Sequence, residues 1–286
     1  MSQKEDTEQK IKIFESPILN SVSENQIQHG FFTRLGGVSV WPYSSLNLSF
    51  TKKGDPVLNA IENANRVSKW FSVASSNLVL TREVHSNIVI EVNNSFEPGG
   101  SGSNLPARPE ADGLLTCKKG LVLGMIAADC IPVLIYYKDP EKPAVSAIHA
   151  GWKGALNGVV QNAIKLISEK FESIDLSHVY LALGPCIRQS SYEVDDPLRK
   201  EFLAQDPNND RYFLGSPPAR SGHYYFDLPG FVKGILFKIG VPESNIDDLN
   251  LDTFTRPDEF FSCRGMKYNN EPDFGNQISC IMLKSS

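Results

Sequence analysis

Long apolar runs, basic blocks and a leader-like start are all missing from this 286-residue sequence. No stretch of about 18 apolar residues is present that would span a bilayer, and the start, MSQKEDTEQKIKIF, lacks the apolar region of a signal peptide. The 28 basic and 33 acidic residues give a net charge of -5, with no basic stripe that would follow a phosphate backbone. We therefore expect a cytoplasmic protein that has neither a membrane nor a nucleic acid as partner.

Cysteine is also in short supply. Five cysteines, at positions 117, 130, 186, 263 and 280, form an odd and irregularly spaced set, which fits reduced thiols better than a disulfide framework. At least one thiol is then free to bind a metal or to react. With 41% hydrophobic and 21% charged residues, the chain has enough apolar material for a substantial core.

The sequence predicts one folded domain that is preceded by a disordered N-terminal tail. Residues 1–10 are predicted to be a disordered tail, and residues 11–286 a single domain. Stretches rich in Gly, Ser, Pro and Asn at 93–109 and 205–222 are typical of loops. Because periodic apolar segments resume on both sides of each loop, neither loop marks a domain boundary.

Short apolar runs rich in Val, Ile and Leu predict the strands. They lie at 78–80, 88–92, 113–115, 121–126, 133–136, 145–149, 179–183 and 277–283. Apolar residues at helical spacing predict helices at 56–71, 154–171, 197–204 and 229–239. The strands cluster and the helices lie between or after them, so we expect an α+β (mixed α/β) fold with layered mixed β-sheets flanked by helices.

Three candidate metal ligands lie beside strand-like segments, His149 and Cys130 at the end of apolar runs and His85 before the run at 88–92. His85 ends T-R-E-V-H, His149 ends A-V-S-A-I-H, and Cys130 lies in A-A-D-C-I-P. Two imidazoles and a thiolate match the ligand preferences of zinc, and three protein ligands leave one position open for water or substrate, as in a catalytic site. The spacing follows no contiguous metal motif. Spacing alone therefore favours a buried cysteine with two hydrogen-bonded core histidines.

The same residues also suggest a metal-free nucleophile. Cys130 would attack the substrate, His149 or His85 would act as the base, and Asp129 or another acid would orient the imidazole. The two hypotheses differ in one testable respect. A ligand thiolate is occupied by the ion, whereas a nucleophilic thiolate must be free.

Cationic and aromatic residues suggest an anion and a flat heterocycle as ligands. The candidate anion-binding residues are Arg34, Lys153, Arg188 and Arg264. Glycines near them let backbone amides approach a ligand, and G-W-K-G is expected to open a helix. Trp152 and the aromatic pair at 260–261 are candidates to contact a flat ring. Taken singly, such an arginine is usually a surface residue and such an aromatic is usually core.

Several motifs together resemble the YfiH-like family over nearly the whole chain. They are H-G-F-F-T-R-L-G-G-V-S (29–39), S-L-N (45–47), V-H-S (84–86), A-D-G-L-L-T (111–116), A-A-D-C-I-P-V-L (127–134), H-A-G-W-K-G (149–154), G-P-C-I (184–187), Y-E-V (192–194) and F-F-S-C-R (260–264). The D-C-x-P and H-A-G-W elements, in this order and separation, are the most specific of them.

The resemblance implies a CNF/YfiH-like cysteine-hydrolase-type fold and a zinc ion held by His85, Cys130 and His149. The family's older label, polyphenol oxidoreductase or laccase, adds copper as an alternative metal. The resemblance also implies a purine nucleoside phosphorylase that cleaves adenosine, inosine and methylthioadenosine with phosphate and that deaminates adenosine. For some bacterial members it implies the removal of wrong peptidoglycan precursors.

From these implied activities we predict roles for particular residues. The catalytic residues are Cys130, His149, Asp129, Arg34 and Arg264. The predicted substrate-binding residues are Arg34, Asn47, Lys153 and Arg264. Among these, the cationic side chains would hold phosphate against the anomeric carbon. Asp129 or Glu83 is the candidate proton carrier for attack of a zinc-bound water on the purine. The expected partners are a nucleoside and phosphate.

Three other functions stay open. The first is a cysteine hydrolase that uses Cys130 and His149 on a peptidoglycan precursor. The second is a multicopper polyphenol oxidase, which the histidine supply disfavours, because only His29, His178 and His223 remain once two histidines are used. The third is a non-catalytic metal-binding scaffold. Neither the preferred nucleoside nor the oligomeric state follows from the sequence.

Overall fold

The computed structural model describes residues 10–93, 108–215 and 221–285. The tail predicted at 1–10 lies outside the described residues except for its last position, and so does most of the loop predicted at 93–109. The single domain over 11–286 stays a prediction.

The described residues form short strands and helices that alternate irregularly along the chain. The strands are β1 (Ile13–Phe14), β2 (Ile27–Phe32), β3 (Leu78–Leu80), β4 (Val89–Glu91), β5 (Gly113–Thr116), β6 (Val122–Ala127), β7 (Ile131–Tyr137), β8 (Ala144–Ala150), β9 (Val179–Leu183), β10 (Glu193–Asp195), β11 (Phe213–Gly215), β12 (His223–Phe226), β13 (Ile246–Asp248) and β14 (Gln277–Leu283). The α-helices are α1 (Pro17–Val22), α2 (Val57–Trp70), α3 (Trp152–Leu156), α4 (Val159–Lys170), α5 (Asp196–Gln205), α6 (Leu228–Ile239) and α7 (Cys263–Asn269). None of the helices in the described ranges has both the length and the apolar content that a bilayer span requires.

The strands form two large mixed sheets and one small antiparallel sheet. The six-stranded sheet has the order β13-β9-β7-β8-β5-β4, and the five-stranded sheet has the order β1-β2-β14-β6-β3. Both combine antiparallel pairs with parallel ones, which are β13 with β9, β4 with β5 and β3 with β6. The small sheet, β10-β12-β11, is antiparallel. The predicted mixed α+β fold with layered sheets is therefore confirmed.

Alternating apolar side chains of the strands pack into layers. Along β7, Ile131, Val133 and Ile135 pack with residues of α4 and α6, whereas Leu134 and Tyr136 pack with residues of the five-stranded sheet. The other face of the five-stranded sheet packs against α2. Both faces of the central strands are buried, which explains why these strands are continuous apolar runs in the sequence.

Two predicted elements differ from the structure. The helix predicted at 154–171 is divided into α3 and α4, because Gly158 adopts a left-handed conformation with a φ of 88° that interrupts the helical backbone. The loop predicted at 205–222 contains a 3-10 helix, Pro207–Tyr212, and strand β11. Strands β10 and β13 carry acidic residues, so they show no apolar run in the sequence.

Candidate metal centre

Cys130 and His149 meet because β7 and β8 are antiparallel neighbours. β7 begins directly after Cys130, and its Pro132 pairs with His149 near the end of β8. The connection from β6 turns at Asp129, whose φ of 91° is uncommon for a residue with a side chain. This turn presents the partly buried Cys130 beside His149, which is only 4% exposed.

His85 comes from the loop between β3 and β4. It is exposed to solvent and has a left-handed backbone conformation, with a φ of 58°. The fully buried Asp112 holds this loop in place. Its carboxylate accepts hydrogen bonds from the backbone N–H groups of Val84, His85 and Ser86 at 3.2, 3.0 and 2.6 Å. The Ser86 hydroxyl donates to the same carboxylate at 2.7 Å.

Asp112 also orients His149. Asp112 Oδ1 lies 2.8 Å from His149 Nδ1, which leaves Nε2 as the nitrogen for a ligand, the usual arrangement in a metal-binding histidine. Burial raises the pKa of Asp112, but hydrogen bonds from His149 and Ser86 outweigh burial and lower the pKa to about 2. The carboxylate is therefore ionised at neutral pH. It contacts both His149 and the backbone that carries His85.

His85, Cys130 and His149 each place one donor atom within 4.8 Å of the other two. In the described part of the chain, this His-Cys-His cluster is the one group of three or more such residues that is close enough to share an ion. A Cβ atom added at Gly151 would lie 3.0 Å from both Cys130 Sγ and His85 Cδ2, so glycine leaves room for the cluster. Two nitrogens and one sulfur fit the donor preference of zinc.

The Cys130 thiol and the His149 imidazole each shift the pKa of the other. Burial raises the pKa of Cys130, but the charge of His149 and hydrogen bonds from His149 and His85 lower it to about 7. Burial lowers the pKa of His149, whereas the Cys130 thiolate and Asp112 raise it well above its usual value. This pairing favours the thiolate, which is both the metal-binding and the nucleophilic form of cysteine.

In metal-free protein we expect the alkylation of Cys130 by iodoacetamide to have its midpoint near pH 7, below the pKa of about 8.5 of free cysteine. The measurement is the second-order rate constant against pH, in a Cys263→Ser background that removes the other thiol of the cleft. His149→Ala should move the midpoint upward. A midpoint at the value of free cysteine would contradict the contact between thiolate and imidazolium.

The His-Cys-His cluster opens into a cleft with a volume of about 580 Å³. Its aromatic walls come from Trp152, Tyr192 and Phe274, which offer flat faces to a planar ring. Its carboxylates are Glu83 and Asp129. The cationic residues that line it are Lys52, Arg82, Arg108, Arg264 and Lys267. This composition suits a flat ring together with an anion.

The two carboxylates of the cleft differ in how their oxygens are used. Asp129 Oδ1 accepts from the Thr253 hydroxyl at 2.6 Å, and Oδ2 accepts from the Arg264 amide at 2.7 Å. Glu83 uses Oε1 for protein hydrogen bonds, whereas its Oε2 lies 4.0 Å from Arg108. Burial is the main cause that raises the pKa of both acids. Glu83 Oε2 is thus better placed than Asp129 to serve a ligand.

The chain also has relatives among known proteins. A family model described as multi-copper polyphenol oxidoreductase laccase matches residues 28–284. The crystal structure of the hypothetical protein YfiH from Bacillus licheniformis matches with a TM-score of 0.81 and 28% sequence identity, covering 91% of this chain and 94% of that chain. The chain belongs to the YfiH-like family. The YfiH-like fold that the motifs implied is thereby confirmed.

Two YfiH-like relatives are named purine nucleoside phosphorylase. RC0672 of Rickettsia conorii is 36% identical over 224 residues, which cover 78% of this chain and 85% of that protein. YlmD of Bacillus subtilis is 28% identical over 264 residues, which cover 92% of this chain and 91% of that protein. These relatives support an enzyme that acts on small molecules.

Arg34, which we predicted to take part in catalysis and phosphate binding, is not among the residues that line the cleft. Its guanidinium donates to the backbone carbonyls of Ser44 and Pro257 at 2.7 and 2.8 Å. Arg188, another candidate anion-binding residue, instead forms a bidentate pair with Asp248 at 2.7 and 2.9 Å. Both arginines therefore have contacts that tie segments of the chain together.

Asn47 and Lys153 also lie outside the lining of the cleft. Asn47 is fully buried, and its side-chain oxygen accepts from the backbone N–H groups of Ser49 and Asn276 at 3.1 and 2.9 Å. Both of those residues line the cleft, so Asn47 holds the backbone of two residues of the cleft wall. The Lys153 ammonium lies 5.3 Å from the ring centroid of Trp152.

The structure gathers part of the predicted site around one cleft. The gathered residues are His85, Cys130, Asp129, His149, Arg264 and the candidate proton carrier Glu83. Sequence reasoning missed Asp112, Lys52 and Lys267. Asp112 had a signal in the motif A-D-G-L-L-T, where an acid directly precedes a strand. The two lysines lie in a loop and a short helix, where no pattern marks them.

Proposed function

We propose that this protein is a zinc-dependent purine nucleoside phosphorylase, which cleaves adenosine, inosine and methylthioadenosine with phosphate and also deaminates adenosine. The observation that carries the proposal is the His-Cys-His cluster in a cleft that combines aromatic walls with several cations. Such a cleft suits a purine nucleoside and phosphate together. The names of the relatives RC0672 and YlmD support the same reaction.

His85, Cys130 and His149 would hold the zinc ion. Bound there, zinc supplies a Lewis acid and a water of lowered pKa. Asp112 fixes the ring of His149 and the backbone of His85, so the ligands keep their orientation as the ion binds. The aromatic walls contact the purine and exclude water from its faces.

We assign Glu83 as the general acid that protonates the departing purine. Its side chain lines the cleft, and its Oε2 lies beyond hydrogen-bond distance of Arg108 Nη2, at 4.0 Å. Asp129 is less suited, because hydrogen bonds from Thr253 and Arg264 already occupy both of its oxygens. Glu83 then holds or donates a proton at Oε2.

Replacing Glu83 with glutamine is expected to lower kcat for inosine phosphorolysis by about 100-fold, the lower end of what a general acid contributes. Glutamine keeps an oxygen for the Ile126 amide, so we expect the variant to fold. Steady-state kinetics provide the measurement. Glu91→Gln is the control, because Glu91 pairs with Lys170 and does not line the cleft. An unchanged kcat in Glu83→Gln would remove Glu83 from the mechanism.

Chromatography of the products tests the proposed function directly. Zinc-loaded protein is incubated with adenosine, inosine or methylthioadenosine, each with and without phosphate. Free base that forms only with phosphate supports phosphorolysis, and inosine formed from adenosine supports deamination. If metal-loaded protein forms neither product, the proposal fails, and the cysteine hydrolase and the metal-binding scaffold become the leading candidates.

A cysteine hydrolase is the second candidate, and the geometry gives it a specific basis. His149 contacts Cys130 on one side and Asp112 on the other, with 2.8 Å from Nδ1 to Asp112. This is the order of nucleophile, base and orienting acid. A covalent adduct on Cys130, detected by mass spectrometry after incubation of metal-free protein with a peptidoglycan precursor, would favour this function.

The positions of the histidines support a multicopper oxidase less well than either of the two functions above. A trinuclear copper cluster needs many imidazoles, whereas only His85 and His149, of five histidines in the whole sequence, share a cluster within the described residues. His29 is buried, and its Nε2 accepts from a backbone amide at 2.8 Å. His178 ends a 3-10 turn, and His223 begins β12. Oxygen uptake with phenols by copper-loaded protein would reverse this conclusion.

A further inference from the structure

We propose that Lys52, Arg264 and Lys267 form the subsite of the cleft that binds inorganic phosphate. The inference rests on the phosphorylase function proposed above and assigns its co-substrate to particular residues. In the reaction, a phosphate oxygen forms a bond to C1′ of the ribose while the C1′–N bond to the purine breaks. The electron pair of the broken bond leaves with the base, which takes its proton from Glu83, and the proton of hydrogen phosphate then restores the carboxyl group of Glu83.

Arg264 is held in place as an anion-binding group. Its Nη1 and Nη2 donate to the backbone carbonyls of Ser191 and Glu193 at 3.3 and 2.8 Å. Carbonyl partners fix the guanidinium without neutralising its charge. Its own backbone N–H donates to Asp129, which fixes the start of α7. A positioned guanidinium with its charge retained is suited to phosphate.

Lys267 follows Arg264 by three residues on α7, so the two side chains project from the same side of the helix. Both line the cleft. The Lys267 ammonium has neither a hydrogen bond nor an ion pair within the described ranges. It is therefore a cation in the cleft whose charge is available to a ligand.

Lys52 reaches the same region from a different segment. Its ammonium donates to Asp273 at 2.7 Å and lies 3.6 Å from the ring centroid of Phe274, so the side chain is fixed. Burial raises the pKa of the Cys263 thiol, while the charges of Lys267 and Lys52 both lower it. Both lysines line the same cleft as Cys263, and the charges of both ammonium groups act on this thiol.

The other cations of the cleft are arranged differently. Arg82 forms an ion pair with Glu110, and Arg108 lies 4.0 Å from Glu83. Each of these guanidiniums has an acid beside it, as Lys52 does, whereas neither Arg264 nor Lys267 forms an ion pair within the described ranges. Two acids contact residues of this subsite: Asp273 pairs with Lys52, and Asp129 accepts the backbone N–H of Arg264. Five cationic residues and two carboxylates line the cleft as a whole, so positive charge exceeds negative charge there, as a dianion requires.

Lys267→Gln is expected to raise the KM for phosphate in inosine phosphorolysis by about ten-fold, the effect of losing one charge-assisted contact. The KM for inosine should stay within about two-fold of wild type, because the proposal assigns this lysine to phosphate and not to the purine. Initial rates of zinc-loaded protein are measured against phosphate and inosine separately. Lys165→Gln is the control, because Lys165 is an exposed lysine of α4 that pairs with Glu169 and does not line the cleft. Lys267 is itself exposed, so we expect its variant to fold.

A binding experiment separates this subsite from the reaction. Isothermal titration of zinc-loaded protein with inorganic phosphate is repeated with Lys267→Gln. Weaker phosphate binding in the variant supports the subsite even if no nucleoside is cleaved, an outcome in which only the proposed function fails. If inosine is cleaved with phosphate but Lys267→Gln and Lys52→Gln both keep the wild-type KM and affinity for phosphate, the subsite is wrong and the function stands. The absence of phosphate binding by wild-type protein would also overturn the subsite.

Discussion

Cys130→Ala is expected to weaken zinc binding by more than about 100-fold, since even the loss of an outer hydrogen bond costs metal sites about 10- to 100-fold in affinity. Here one of only three clustered ligands is removed. Two imidazoles remain, which leaves the ion without its anionic ligand. Phosphorolysis of inosine should then fall below detection. Competition with a chromophoric zinc chelator measures the affinity, and product chromatography measures the turnover.

Cys263→Ala is the matched control for Cys130→Ala. Cys263 lines the same cleft but does not belong to the His-Cys-His cluster, so its variant should bind zinc as the wild type does. Wild-type zinc affinity in Cys130→Ala would show that the thiolate is not a ligand. Wild-type affinity combined with lost turnover would favour the nucleophilic role of Cys130.

The second large effect is expected at Asp112. Alanine there leaves the buried imidazole of His149 and the N–H groups at 84–86 without their acceptor. Breaking a buried charged pair costs about 3–5 kcal/mol, and we expect Asp112→Ala to lower the free energy of unfolding by about that amount. Zinc affinity should fall by about 10- to 100-fold, as for other outer-shell partners. Urea denaturation with and without zinc separates the two effects.

Two further variants define the role of Asp112. Asp112→Asn keeps the size and one acceptor oxygen, so it should regain part of the stability but less of the zinc affinity, because an amide no longer supplies a negative charge beside His149. Asp139→Ala removes a partly exposed turn carboxylate that accepts from two backbone amides, and it should cost about 1 kcal/mol or less. Wild-type zinc affinity in Asp112→Ala would contradict the positioning role.

The central strands of the fold could be predicted because burial on both faces leaves an unbroken apolar run. β9 and β14 have the predicted bounds. β2 was not among the predicted strands, because Gln28, His29 and Gly30 interrupt its apolar character. It is nevertheless mostly buried, since it pairs with β14 on one side and with β1 on the other. Tertiary pairing of this kind overrides local preference.

The candidate site could be predicted in part. Strand ends and motifs indicated His85, Cys130 and His149, and the structure brings them together. Asp112, which contacts both His149 and the backbone of His85, is 37 positions away from His149 in the sequence. At that separation, the pairing of strands decides which residues come into contact, and the sequence does not show this pairing. The sequence likewise could not distinguish Lys153 from Lys52. Which of two lysines faces the cleft depends on how α3 and the loop around Lys52 are oriented by the rest of the fold.

The most direct test of the central claim is a titration of metal-free protein with zinc, during which the initial rate of phosphate-dependent hypoxanthine release from inosine is followed. We expect the rate to rise linearly and to reach a plateau at one zinc per chain, with no rise in Cys130→Ala. A rate that is already complete in metal-free protein, or a plateau that requires several ions per chain, would contradict a single zinc site built from His85, Cys130 and His149.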